Sequence, residues 1–129
     1  MRKRFFGALS IAACAAMPVL ADPITEAQQL ILATTEKLTA LQTANPSPEE
    51  VAQAQQEALA DLQRARSLFE EGGIDGTDDA KAAYDYGDLL VRFQDTDLAA
   101  KSLKRAHQLD PGNALYAIGY GTVLVELGD

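Results

Sequence analysis

The chain has 129 residues, enough for one small domain, and carries 19 acidic side chains against 11 basic ones, a net charge of −8. An acidic balance of this size repels nucleic acid and anionic membrane surfaces, so neither is an expected partner, and it favours a basic one. Tryptophan is absent, and no stretch alternates apolar and polar residues at the period of a strand, which points to an all-α fold.

Residues 1–21 read as a targeting segment. Arg2, Lys3 and Arg4 form a basic start, Phe5 to Leu20 is apolar or small apart from Ser10, and Val19-Leu20-Ala21 has the small-x-small form of a cleavage site ahead of Asp22. The apolar run is shorter than the roughly 20 residues a membrane span requires. The expected destination is a bacterial periplasm, with an uncleaved anchor as the alternative. Ile11-Ala12-Ala13-Cys14 also resembles a lipobox, in which Cys14 would be lipidated. Against this stand the nine residues between Arg4 and Cys14, a short h-region, and the apolar residues that continue to Ala21. Cleavage after Ala21 removes three basic residues and no acidic one, taking the net charge from −8 to −11, and removes the only cysteine. The remaining chain then has no disulfide and no thiol chemistry.

The first helix is expected to open at Asp22-Pro23 or at Thr25, with Thr25-Glu26-Ala27-Gln28 as a capping box. Ile24, Ala27, Ile31, Thr34, Leu38 and Leu41 then come at spacings of three and four, a heptad-like seam that Leu30 and Leu32 widen. The helix must stop before Pro46, because the residue ahead of a proline avoids the α region. Ser47-Pro48-Glu49-Glu50 opens a second helix with a capping box and a proline in the first turn. Val51, Gln55, Ala58, Leu62, Ala65 and Phe69 make its seam. Residues 22–72 are therefore expected to form an α-hairpin, serving as an N-terminal lid on the second half of the chain or as a docking arm.

Gly72 to Thr77 ends that helix and forms a linker. Asp75, Asp78 and Asp79 lack the alternate spacing and distant Glu of a calcium loop; capping by Thr77 or Asp78 accounts for them. The next helix is expected from about Asp79 to Phe93. Asp95-Thr96-Asp97 should turn the chain and cap a further helix to about Leu109, and Asp110-Pro111-Gly112-Asn113 should start the last one.

In this second half the sequence repeats itself. Ala83, Tyr86, Gly87, Leu90, Val91 and Asp95 recur as Ala117, Tyr120, Gly121, Leu124, Val125 and Asp129, every pair at the same interval. A fixed period of about 34 residues marks stacked helix-turn-helix units. Between the copies lie Ala99, Leu103, Ala106 and Pro111, a small-large-small run followed by a proline exit. Together these residues resemble a tetratricopeptide repeat over about residues 80–129. The departures are Ala83 and Ala117 in place of the family's frequent Trp, and an exchange of aromatic and aliphatic roles at Tyr86/Leu90 and Tyr120/Leu124. The expected architecture is an α-hairpin at 22–72 followed by a repeat stack at 77–129, with one full repeat and the first helix of another. Gly87 and Gly121 are expected to admit a neighbouring helix at close range, with Ala99 and Ala106 doing the same on the second helix. Ala58-x3-Leu62-x2-Ala65 has the same small-large-small spacing and suits a helix packed beside the first repeat.

The resemblance implies that first helices line a concave groove that binds a peptide or protein segment. By position that groove would show Lys81, Tyr84, Asp85, Asp88 and Arg92 from one repeat and Thr122 and Glu126 from the next. It is a mixed surface with an acidic lean, suited to a partner with basic and apolar side chains; the plainer reading is a solvated helix face. No nucleophile elbow, zinc-helix motif or phosphate loop is present, so no catalytic residue, metal, cofactor or small-molecule substrate is expected. His107, the only histidine, is expected on a solvated helix face beside Lys104 and Arg105. Residues 114–127 are apolar nearly all round, broken by Thr122 and Glu126, and such a helix is expected to be covered. The expectation is an exported, non-enzymatic adaptor for a protein partner. The alternatives are a self-assembling module, in which residues 24–69 and 114–127 make a homo-oligomer, and a fragment of a longer array.

Overall fold

The computed structural model describes residues 22–128, and all regular structure among them is helical. The expected export signal, its cleavage site and Cys14 fall outside these residues, as does Asp129. Five α-helices run in order: α1 (Pro23–Thr43), α2 (Pro48–Glu71), α3 (Ala80–Arg92), α4 (Thr96–Leu109) and α5 (Ala114–Glu126), with a short 3-10 turn at Ile74–Gly76. Each helix packs on the next; in addition α1 touches α3, and α3 touches α5.

The hairpin forms as its seams require, with local corrections. Asp22 caps α1: its carboxylate accepts from the Thr25 amide at 3.0 Å and from the Thr25 hydroxyl at 2.7 Å, which holds the acid below its ordinary pKa. The expected Thr25–Gln28 box is therefore absent, because a carboxylate placed just ahead of Pro23 meets the free helix-end amides first. Ala27 and Thr34 are buried along the seam, but Leu32 points to solvent and does not widen it. At α2 the Ser47–Glu50 box forms in both directions, at 3.3 and 2.8 Å, and lowers the Glu50 pKa.

Gly72, at the end of α2, lies against the start of α1. A Cβ there would fall 2.6 Å from Ile24 Cγ1 and 3.2 Å from the Ile24 backbone nitrogen, so the hairpin closes only around a residue without a side chain. Phe69 joins the hairpin to the second half. It is fully buried, its ring lies 5.3 Å from that of Tyr86 on α3, and Ala27, Ala65 and Leu90 share its core. Arg66 adds a polar strap: it donates to Asp95 at 2.8 Å and lies over the Phe93 ring at 5.7 Å. Hydrogen bonding to Asp95 raises the Arg66 pKa. Asp95 stands at the cap position of α4, as expected, but makes no capping bond there because its carboxylate is taken by Arg66.

The period of the second half governs backbone geometry as well as composition. α3 and α5 are both 13 residues long and begin at equivalent positions, Ala80 and Ala114. Asp79 caps α3 through the amides of Lys81 and Ala82, and Asn113 caps α5 through those of Leu115 and Tyr116. Thr77, a candidate cap, instead accepts from the Asp79 amide. Both helices exit through a left-handed residue, Gln94 at φ 60° and Gly128 at φ 82°. One period apart, two different sequences thus build one helix with one entry and one exit.

α3 and α4 form the tightest pair. Ala99, Leu103 and Ala106 on α4 are buried, and a Cβ on Gly87 would stand 2.7 Å from Leu103 Cγ and 3.3 Å from the Leu103 backbone nitrogen. Gly121 does not play the same part, contrary to expectation: a Cβ there meets nothing within 4 Å. The glycine is in register, and no described helix lies over it.

Candidate functional site

α3 and α5 lie side by side because Gly119 makes room. The Tyr84 ring rests on it, so that an added Cβ would come within 3.1 Å of Tyr84 Cε2, and the Tyr84 and Tyr116 rings lie 5.0 Å apart. Below this contact the two helices part into a cleft of about 130 Å³ lined by Tyr84, Asp88, Val91, Thr122, Val123 and Glu126, with Leu103 and Gly119. Four of the seven residues expected in the groove, Tyr84, Asp88, Thr122 and Glu126, meet here. The volume lies below the roughly 300 Å³ at which small-molecule sites begin and suits one inserted side chain.

The cleft has an apolar floor and two carboxylates. Burial, then Asp88 and Asp85, raise the Tyr84 pKa, so the phenol stays neutral. Asp88 pairs with Arg92 at 3.4 Å across one helical turn, both side chains about half exposed. Such a pair contributes little stability and is readily exchanged for another cation. Glu126 has no ion pair among the described residues.

Lys81 and Asp85 sit apart from the cleft, toward α1. Lys81 donates to Asp85 at 2.7 Å, which raises the lysine pKa, and Gln28 of α1 donates to the same carboxylate oxygen at 2.9 Å. The Asp85 carboxylate thus braces α1 against α3. Sequence reasoning missed this role, and it missed Val91 and Gly119 in the cleft. Val91 carried a signal, since its recurrence as Val125 marked a repeat position; Gly119 carried none, because Asp85 stands at its counterpart position.

The repeat-packing residues divide in two. Tyr86, Gly87, Leu90, Ala99, Leu103 and Ala106 are buried between helices, whereas Pro111 is exposed in the turn and Tyr120, Gly121 and Leu124 remain partly open on α5. α5 buries Tyr116 and Val123 and exposes Leu115, Ile118 and Val125 at 55%, 66% and 77%. His107 departs from the expected solvated face. It is half-buried, with its ring 6.3 Å from that of Tyr120 and its Nδ1 buried without a hydrogen-bond partner among the described residues. α4 turns its basic side away from α5, where Lys101, Lys104 and Arg105 edge a shallow cleft of about 270 Å³; Arg105 is held by the Thr77 carbonyl at 3.0 Å and by Asp78 at 3.2 Å.

Among the described residues, no group of three or more His, Cys, Asp or Glu side chains is placed to hold a metal ion, and no helix is long and apolar enough to cross a membrane. No protein-family model, curated protein or solved structure matches the chain.

Proposed function

We propose that this protein is an exported, non-enzymatic adaptor of the tetratricopeptide kind, which holds an extended segment of another polypeptide along α3 and α5. The observation that carries this reading is the α3–α5 cleft, in which Asp88 and Glu126 flank an apolar floor of Val91 and Val123. A lysine or arginine side chain lays its methylenes on such a floor and its charge between the carboxylates. The matching backbones of α3 and α5 support a stacked repeat, and their side-by-side contact supports a shared groove. The acidic balance of the chain favours encounter with a basic segment. The cell envelope is the proposed setting, on the strength of the basic and apolar leader.

A second reading has its own observation. Leu115, Ile118, Thr122 and Val125, all exposed on α5, come at spacings of three, four and three, the seam by which two helices pair. In that reading two copies of the chain associate through α5.

An arrayed library of hexapeptides tests the adaptor reading. Peptides with Lys or Arg next to apolar residues should be retained, and Asp88→Asn with Glu126→Gln should lower their binding at least tenfold and flatten its salt dependence while the helical circular dichroism is unchanged. Retention indifferent to peptide charge, or undiminished in the double variant, contradicts it.

A further inference from the structure

The face of α3 that receives α4 is repeated on α5, where nothing among the described residues stands over its central glycine. On α3 this face is Ala83, Gly87 and Leu90, all buried: Leu103 of α4 sits directly over Gly87 and Ser102 of α4 donates to the Ala83 carbonyl, while neighbouring Tyr86 turns to Phe69 of α2. On α5 the same positions hold Ala117, Gly121 and Leu124, residue for residue and only partly buried, on a helix of equal length, equal capping position and equal exit, while Tyr120 lies beside His107 of α4. Yet the hollow over Gly121 is open.

We infer that this face of α5 is a docking site for an amphipathic helix of another polypeptide that carries the contact pattern of α4. The α3–α4 interface specifies the occupant. It places a large aliphatic residue over the glycine, with alanines four residues before and three after, as Ala99, Leu103 and Ala106 do. A serine ahead of the aliphatic residue finds the Ala117 carbonyl, as Ser102 donates to the Ala83 carbonyl at 2.7 Å. A basic residue two positions after it finds the Pro111 carbonyl, the counterpart of the Thr77 carbonyl that holds Arg105, with the exposed Asp110 beside it in sequence. Along this hollow Ala117, Gly121 and Leu124 are apolar and the exposed Asp110 supplies an acidic end, which complements a helix that is apolar on one side and basic on the other. This site is separate from the α3–α5 cleft, so either can fail without the other.

The probe is a labelled synthetic peptide with the sequence of α4 and its flanking turns, residues 95–110, titrated into the purified protein and followed by fluorescence anisotropy. Saturable binding is expected, at least tenfold weaker for the peptide carrying Leu103→Ala. In the protein, Gly121→Leu should abolish it with no loss of helical signal, since the added side chain enters open space. Ala117→Glu, on the same face, gives the same reading should the first variant lose helix. No saturation at about 1 mM peptide, a range in which even weak complexes form, overturns the inference, as does undiminished binding to both variants.

Discussion

Gly87→Ala should destabilise the protein and Gly121→Ala should not, although the two glycines stand at equivalent positions one sequence period apart. At Gly87 the new methyl would fall 2.7 and 2.8 Å from the Leu103 side chain and 3.3 Å from its backbone. Leu103 is buried against α3, and although its side chain borders the α3–α5 cleft its backbone belongs to α4 and cannot turn away. Overpacking of this kind costs about 1–3 kcal/mol, which outweighs the roughly 0.5–1 kcal/mol that alanine contributes over glycine within a helix. At Gly121 the methyl meets nothing, so only the helix term remains and its sign is favourable. Urea denaturation of the two variants, read by far-ultraviolet circular dichroism, should move the midpoint in opposite directions. Equal shifts would mean that Gly121 is covered or that α3 and α4 are loosely packed.

Phe69→Ala should cost about 3–5 kcal/mol, the usual penalty for deleting a buried aromatic ring, out of the roughly 5–15 kcal/mol by which a domain of this kind is stable. The ring is fully buried and serves two bodies at once, with Ala27 and Ala65 on the hairpin side and Tyr86 and Leu90 on the repeat side. Direct contact between α2 and α3 is otherwise slight, and the Arg66–Asp95 strap is partly exposed. The loss should therefore appear as lost cooperativity as well as lost stability: one thermal transition in the parent chain and two in the variant, the hairpin separating from α3–α5. A single, unshifted transition would show that Phe69 is not the joint.

The elements legible in the sequence are those set by local chemistry. Ser47-Pro48-Glu49-Glu50 specifies a cap, a first-turn proline and a returning carboxylate within four residues, and all three are in place. The recurrence of Tyr86-Gly87 and Leu90 as Tyr120-Gly121 and Leu124 foretells two helices that match to the residue at both ends. What escapes the sequence is partner choice among equals. Asp95 stands where a cap belongs, but a guanidinium 29 residues earlier in the chain outcompetes a backbone amide for its charge. Gln28 reads as a capping side chain and Asp85 as a groove residue, yet they bond to each other, because α1 crosses α3 at that height. His107 turns inward for a similar reason: its place on α4 depends on where α5 lies, which composition does not state. Gly121 shows the same limit, since a sequence records readiness for a neighbour and not its presence.

The exposed apolar stripe Leu115, Ile118 and Val125 carries the second reading, in which two copies associate through α5. In a pure sample the only chain on offer is a second copy, so an apolar stripe of this kind should draw copies together. Light-scattering mass of the chain from Asp22 onward, measured after size-exclusion chromatography over a hundredfold range of concentration, tests it most directly. The mass should climb above that of the monomer as concentration rises and return to it when Ile118→Glu and Val125→Glu place charges on the exposed stripe. A mass fixed at the monomer throughout, in the parent chain as in the variant, would contradict association through α5 and leave the α3–α5 cleft as the binding surface.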